Sequence, residues 1–191
     1  MAKKAESTLK NMFLSLTVIA LVAAAALAAL NAVTKGPIEE AQKKKVAEAV
    51  AAVLPQNDKT EAKEVNGHKC NIARDAQGNF VGAAIEAGND KGFGGHLQVM
   101  VGFDKEGKIF GYRILESHET PGLGAKADQW FQKDGKGCII DSLPSTPLQV
   151  KKDKGSVDAI SGSTITSRAF LEAVNDAYKV FKKIKEEEDK K

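Results

Sequence analysis

Hydrophobic and polar positions change rhythm several times along this chain. From Asn11 to Thr34 no residue is charged, and Met12–Val33 reads MFLSLTVIALVAAAALAALNAV. As a helix at about 1.5 Å per residue, this run spans roughly 33 Å, the depth of a bilayer core. It predicts a transmembrane helix. Lys35-Gly36-Pro37 reads as its end, with Pro37 suited to the first turn of a second helix. Residues 38–54 place Val46, Val50, Val53 and Leu54 on one face of an Ala-, Glu- and Lys-rich stretch, which predicts an amphipathic helix closed by Pro55. Asp58–Asn66 is polar and reads as a linker.

Short β-type runs follow: His68–Arg74, Phe80–Ala87, His96–Phe103 and Lys108–Leu115. Asp75-Ala-Gln-Gly78-Asn79 and Asp104-Lys-Glu-Gly107 fit hairpin turns in which Gly supplies positive φ. The glycine-rich Gly88–Gly95 reads as a flexible connection. Ser117–Lys126, SHETPGLGAK, has neither period; Ala127–Gln132 fits a short helix, and Leu148–Lys152 and Val157–Ile160 fit two last short strands. Phe170, Val174, Ala177, Phe181 and Ile184 then recur at helical spacing, so a C-terminal helix lays one apolar stripe on a core. Antiparallel strands flanked by helices make an α+β domain. The expected divisions are 1–34 for the N-terminus and transmembrane helix, 35–66 for a helical neck and linker, 67–185 for the domain, and 186–191 for a solvated charged tail.

Composition narrows the function classes. With 191 residues, 42% hydrophobic and 28% charged, the chain has room for one ordinary globular domain beside the apolar run. The net charge is +3, and Lys3, Lys4 and Lys10 against Glu6 place +2 of it before residue 35. A body of near-neutral charge lacks the electrostatics of a nucleic-acid binder. The same lysines place the N-terminus in the cytoplasm by the positive-inside rule, although Lys35 and Lys43–Lys45 dilute the bias. The apolar run exceeds the roughly 7–15 residues of a signal-peptide core, which favours a retained anchor over a cleaved signal, while Ala26-Leu-Ala28 fits a cleavage pattern. Cys70 and Cys138 form no C-x-x-C and read as two buried thiols, with pairing the alternative. His68, His96 and His118 lack metal-ligand spacing; after His118-Glu119, Gly122 stands where a zinc helix needs its second His.

No nucleophile triad, acid–base pair or dinucleotide fingerprint stands out. The unusual stretch is Asp158-Ala-Ile-Ser161-Gly162-Ser163-Thr164-Ile-Thr166-Ser167, which runs into the C-terminal helix. A glycine turn and a run of hydroxyls at a helix start bring free amides and the positive end of the helix dipole to one point, an arrangement that favours a phosphate. The plainer reading is a Ser/Thr helix cap.

Together, His118–Gly124 (HETPGLG) and Asp158–Ser167 (DAISGSTITS) resemble the FMN-binding domain of membrane redox complexes: the G subunit of Rnf-type electron-transport complexes and the related C subunit of sodium-translocating NADH:quinone reductase. The resemblance covers nearly the whole chain. In that family a D-x-x-[ST]-G-[AS]-[ST] signature carries FMN as a phosphoester on its last hydroxyl residue, which is Thr164 in this chain. Ser163 stands where Ala is commoner, a change that leaves the signature intact. The resemblance implies that Ser161, Gly162, Ser163 and Thr166 surround that ester, and that Glu119, Thr120, Gly122, Leu123 and Gly124 contact the flavin. It leaves Lys126 either as a charge near the phosphate or ring or as a solvated lysine. Asp158 either positions a metal or the acceptor hydroxyl during attachment, or orders the turn.

The same resemblance implies an electron-carrying subunit, not an enzyme acting alone. The flavin carries the chemistry and the protein tunes and positions it. Its partners are the other subunits of an ion-translocating complex of ferredoxin/NAD type, the membrane, and a flavin transferase. The domain then lies on the extracytoplasmic, periplasmic side of the inner membrane. The short chain, lacking extra insertions, favours the Rnf-type G subunit over the quinone-reductase C subunit. A membrane-anchored binding module with no redox role is the reading from another class.

Overall fold

The structure, a computed structural model, describes residues 8–190; Lys3, Lys4 and Glu6 of the N-terminal charge cluster, and Lys191, lie outside them. The chain divides between Lys44 and Lys45 into two units.

The first unit is most of helix α1, Leu9–Val53. It is the one helix among the described residues that is long and apolar enough to cross a membrane. Two hydroxyls within it, Thr17 and Thr34, donate back to the carbonyls of Phe13 and Leu30 at 2.9 Å, so neither is left unpaired in an apolar setting. The expected break at Lys35-Gly36-Pro37 does not occur; Pro37 lies inside the helix. A proline removes one backbone hydrogen bond, at about 3 kcal/mol. Stopping and restarting would instead expose several amides and carbonyls and require a new nucleus.

The second unit opens with the last turns of α1 and holds a five-stranded antiparallel sheet in chain order β1-β2-β3-β4-β5. The strands are β1 Lys59–Val65, β2 His68–Arg74, β3 Phe80–Gly92, β4 Gly95–Asp104 and β5 Ile109–Ser117. Two expectations change here. Asp58–Asn66 is not a linker, because Lys59–Val65 pairs with all of β2 from Lys59↔Arg74 to Val65↔His68. Nor is Gly88–Gly95 a loose connection: β3 and β4 run on through it to a tight tip at Phe93-Gly94, with Gly92 opposite Gly95.

Alternate residues of each strand face opposite sides. One side (Ile72, Ile85, Val101, Phe103, Ile109 and Tyr112) packs against α3, Thr164–Glu188, through the buried Phe170, Val174, Ala177, Phe181 and Ile184. The predicted stripe is therefore the one used. The other side, with Ala73, Ala84 and Met100, receives Ala49 and Val53 from the end of α1 and Leu54 just beyond it. Lys45 Nζ donates to the carbonyl of Leu115 on that side.

The segment between β5 and α3 is mostly irregular. It holds a 3-10 turn at Gly124–Lys126, the short helix α2 at Ala127–Trp130 and a second 3-10 turn at Lys151–Asp153. The two strands expected at 148–152 and 157–160 reduce to a single parallel bridge, Val150↔Val157, because the 3-10 turn occupies the space between. Nor is the acidic end of α3 simply solvated. Glu187 pairs with Lys63, and Glu188, nearly buried, pairs with Arg74 at 2.7 Å. Both cysteines are free thiols, and the buried reading holds for Cys70 only, since Cys138 is exposed.

Candidate functional site

Thr164 is the first residue of α3, and the chain reaches it through a turn closed by the Ser163 amide donating to Ile160 O at 3.0 Å. Gly162 sits in that turn at φ +77°, a conformation that side chains resist and glycine adopts freely. The helix is not capped as a Ser/Thr run would suggest. Ser163 occupies the capping position, but its side chain makes no capping bond. The buried Ser167 ties the turn instead, its Oγ donating to Ser163 O at 2.9 Å and accepting the Ile160 amide at 3.0 Å. The free amides expected at a helix start are therefore not used up by a side-chain cap.

The hydroxyls along this stretch have different employments. Thr166, fully buried, donates to Glu119 Oε2 at 2.8 Å, and Ser167 is committed to the turn. Ser161 is exposed, Ser163 is buried, and Thr164 is half-buried at the mouth of a pocket of about 330 Å³. That volume is at the small end of ligand pockets, roughly 300–1,000 Å³.

The other motif forms the facing wall. In Thr120-Pro121-Gly122-Leu123 the Leu123 amide donates to Thr120 O at 3.1 Å, with Gly122 at φ +77°. Proline followed by a positive-φ glycine is the pattern of a type II turn. A Cβ on Gly124 would stand 2.5 Å from Glu119 Oε2 and 2.8 Å from Thr166 Oγ1. That glycine is what lets the two motifs close on the Glu119–Thr166 bond.

Of the residues expected at the site, Glu119, Thr120, Leu123, Gly124, Gly162, Ser163 and Thr164 line this pocket, and Thr166 holds it from beneath. Gly122 and Ser161 shape the adjoining turns without lining it. Lys126, on the 3-10 turn, is exposed and is not part of the lining. Asp158 is likewise absent from the lining: its Oδ2 accepts from Lys151 Nζ at 2.7 Å and its carbonyl accepts from Trp130 Nε1 at 2.8 Å.

Three lining residues were not foreseen. Phe93, at the β3–β4 tip, is 70% exposed, and Ile165 is 50% exposed. With Leu123, 43% exposed, they give the pocket an apolar rim. An aromatic residue among the glycines of Gly92-Phe93-Gly94-Gly95 was a signal available in the sequence. The third is Lys152, whose Nζ donates to Thr164 Oγ1 at 3.3 Å. Nearby, Arg168 grips Asp153 through two bonds of 2.6 Å and holds that carboxyl below its usual range. Among the described residues no cluster of His, Cys, Asp or Glu has the makings of a metal site.

The chain is similar to known proteins over most of its length. Residues 92–179 match the FMN-binding domain family, a stretch that contains Phe93, both motifs and Lys152. Over 191 aligned residues the chain is 35% identical to the G subunit of the Na(+)-translocating ferredoxin:NAD(+) oxidoreductase complex of Acetobacterium woodii, covering 90% of each chain. It is 33% identical to the G subunit of the ion-translocating oxidoreductase complex of Photorhabdus laumondii over 87% of each chain. With the corresponding subunit of Aliivibrio fischeri it shares 32% identity over 95% of this chain and 94% of the relative.

Proposed function

The chain belongs to the family of G subunits of ion-translocating oxidoreductase complexes, and from that premise we propose that it carries its FMN as a phosphoester on Thr164. It is an FMN-binding electron-transfer subunit of an ion-translocating complex, anchored in the membrane through the apolar run of α1. The FMN supplies the electron-carrying chemistry; the residues hold and orient it.

The pocket suits such a ligand at both ends. At one end an uncapped helix start and an ammonium group meet beside a hydroxyl, the surroundings that stabilise a phosphate. At the other, Phe93, Leu123 and Ile165 offer exposed apolar surface to a flat ring. The pocket is small, so part of the ring system stays at the surface, as an electron relay between subunits requires.

The observation that carries the choice of residue is the division of labour among the hydroxyls. Thr166 and Ser167 are buried and bonded within the protein, whereas Thr164 opens on the pocket at the first turn of α3. A flavin transferase makes the ester. The complex is of the ferredoxin/NAD type, and the domain faces outward across the inner membrane; Lys10 on the near side of the apolar run supports that orientation.

The test is peptide mass spectrometry of the full chain co-expressed with a flavin transferase that is either exported or kept in the cytoplasm. An FMN-sized addition is expected on the peptide containing Thr164 with the exported transferase only. Thr164→Ala should abolish it, Thr164→Ser should retain part of it, and Thr166→Ala should still be modified. An addition that persists in Thr164→Ala overturns the assignment; modification by the cytoplasmic transferase alone overturns the orientation.

A further inference from the structure

Several cations lie near the start of α3, and most are already engaged. Lys151 pairs with Asp158 at 2.7 Å, Arg168 with Asp153 at 2.6 Å, and Lys91 with Glu172. Lys152 points differently. Its Nζ goes to Thr164 Oγ1, and its side chain lines the pocket on which that hydroxyl opens.

The direction of Lys152 is fixed by its backbone. The turn that bears it is closed at its base by the Val150↔Val157 bridge, with the Lys151 amide donating to Val157 O at 2.8 Å and the Gly155 amide to Val150 O at 3.1 Å. A Cβ on Gly155 would fall 2.0 Å from Gln149 O, so the return of the chain admits only glycine. The ion pairs of Lys151 and Asp153 then hold the turn on both sides of Lys152.

We propose that Lys152 binds the phosphate of the flavin held at Thr164. The inference rests on the covalent-FMN reading above and adds the group that neutralises its charge. An ammonium within hydrogen-bond distance of the acceptor oxygen is also within reach of phosphoryl oxygens two bonds further out. The amides at the start of α3 contribute partial charges to the phosphate, and Lys152 contributes a full one. Lys126, the lysine to which the motif draws attention, lies off the pocket.

The experiment compares full-length chains in detergent, each loaded by a limiting amount of flavin transferase and followed by intact mass. Lys152→Gln should load about tenfold more slowly, the loss of one charge-assisted hydrogen bond. Lys152→Arg should load at close to the wild-type rate, and so should Lys154→Gln, two residues further along the turn. Thermal unfolding of Lys152→Gln should match the wild type, since the residue is exposed. After prolonged loading, the phosphorus resonance of Lys152→Gln should differ from that of the wild type. Wild-type loading by Lys152→Gln, failure of arginine to rescue it, or an unchanged phosphorus resonance overturns the inference. Loading that persists in Thr164→Ala instead overturns the reading beneath it.

Discussion

On one face of the sheet, Phe170 of α3 stacks on Phe131 with ring centres 4.5 Å apart and meets Tyr112 edge-on at 4.8 Å. On the other, the end of α1 meets Gly102 and Gly111, directly opposite each other on β4 and β5, which have no side chains. The first face gains by volume: large rings fill it and remove apolar area from water. The second gains by approach, because absent side chains let a helix backbone come within contact distance of a sheet backbone. One face should therefore be intolerant of losing atoms and the other of acquiring them.

The largest effect is expected on the ring face. Phe170→Ala should cost about 3–5 kcal/mol of stability, the usual range for emptying a buried phenylalanine site. Denaturant unfolding followed by Trp130 fluorescence reads this, since it is the single tryptophan and its indole is bonded to the carbonyl of Asp158. A loss below about 1 kcal/mol would mean that the face is not held by volume. Next comes the glycine face. A Cβ on Gly102 would stand 1.7 Å from the carbonyl oxygen of Val53, which is backbone and cannot swing aside. Gly102→Ala should cost about 1–3 kcal/mol and loosen amide exchange over Lys45–Val53 while α3 stays protected. Gly111→Ala, whose Cβ meets nothing nearer than 3.5 Å, should be far milder. Equal effects at the two glycines would break the comparison.

The smallest effect is alkaline. Burial pushes the Cys70 thiol on the ring face up to about 11 from an ordinary 9.0, and pushes the phenol of Tyr112 up as well. An acid whose folded value is raised stabilises the fold fully below its unfolded value, and that stability is lost as pH climbs through the raised one. Unfolding midpoints should therefore fall between about pH 9 and pH 11, and fall less in Cys70→Ala. An identical alkaline loss in the two proteins would remove Cys70 from the account.

How legible these features were depended on whether they left a pattern along the chain. The α3 stripe was plain because one face is buried and the rest is wet, and β2 was read to the residue. β1 was hidden, since Thr60–Glu64 is exposed on both faces and an edge strand of that kind has no alternation to show. Its one clue was Asn66-Gly67, both at positive φ, the favoured pair for a two-residue hairpin. The glycines of the two motifs could be singled out from sequence, though the contacts that require Gly124 could not. Lys152 was invisible for a different reason. In the lysine-rich run Lys151-Lys152-Asp153-Lys154, the closed turn and its ion pairs to later residues, which leave no local pattern, decide which ammonium meets Thr164.

The strand order follows the chain without a crossover. As the chain is made, each strand can thus pair with the one synthesised just before it, through short closures of small entropic cost. The ring face must wait. Phe103, Tyr112 and Phe131 have no cover from α3 until Thr164–Glu188, the last element, has arrived, and a partly finished domain is most open to wrong associations during that interval. The same late arrival brings Thr164 beside Lys152 and completes the pocket. A chain truncated before residue 164 therefore lacks the helix that finishes both its core and the pocket beside Thr164.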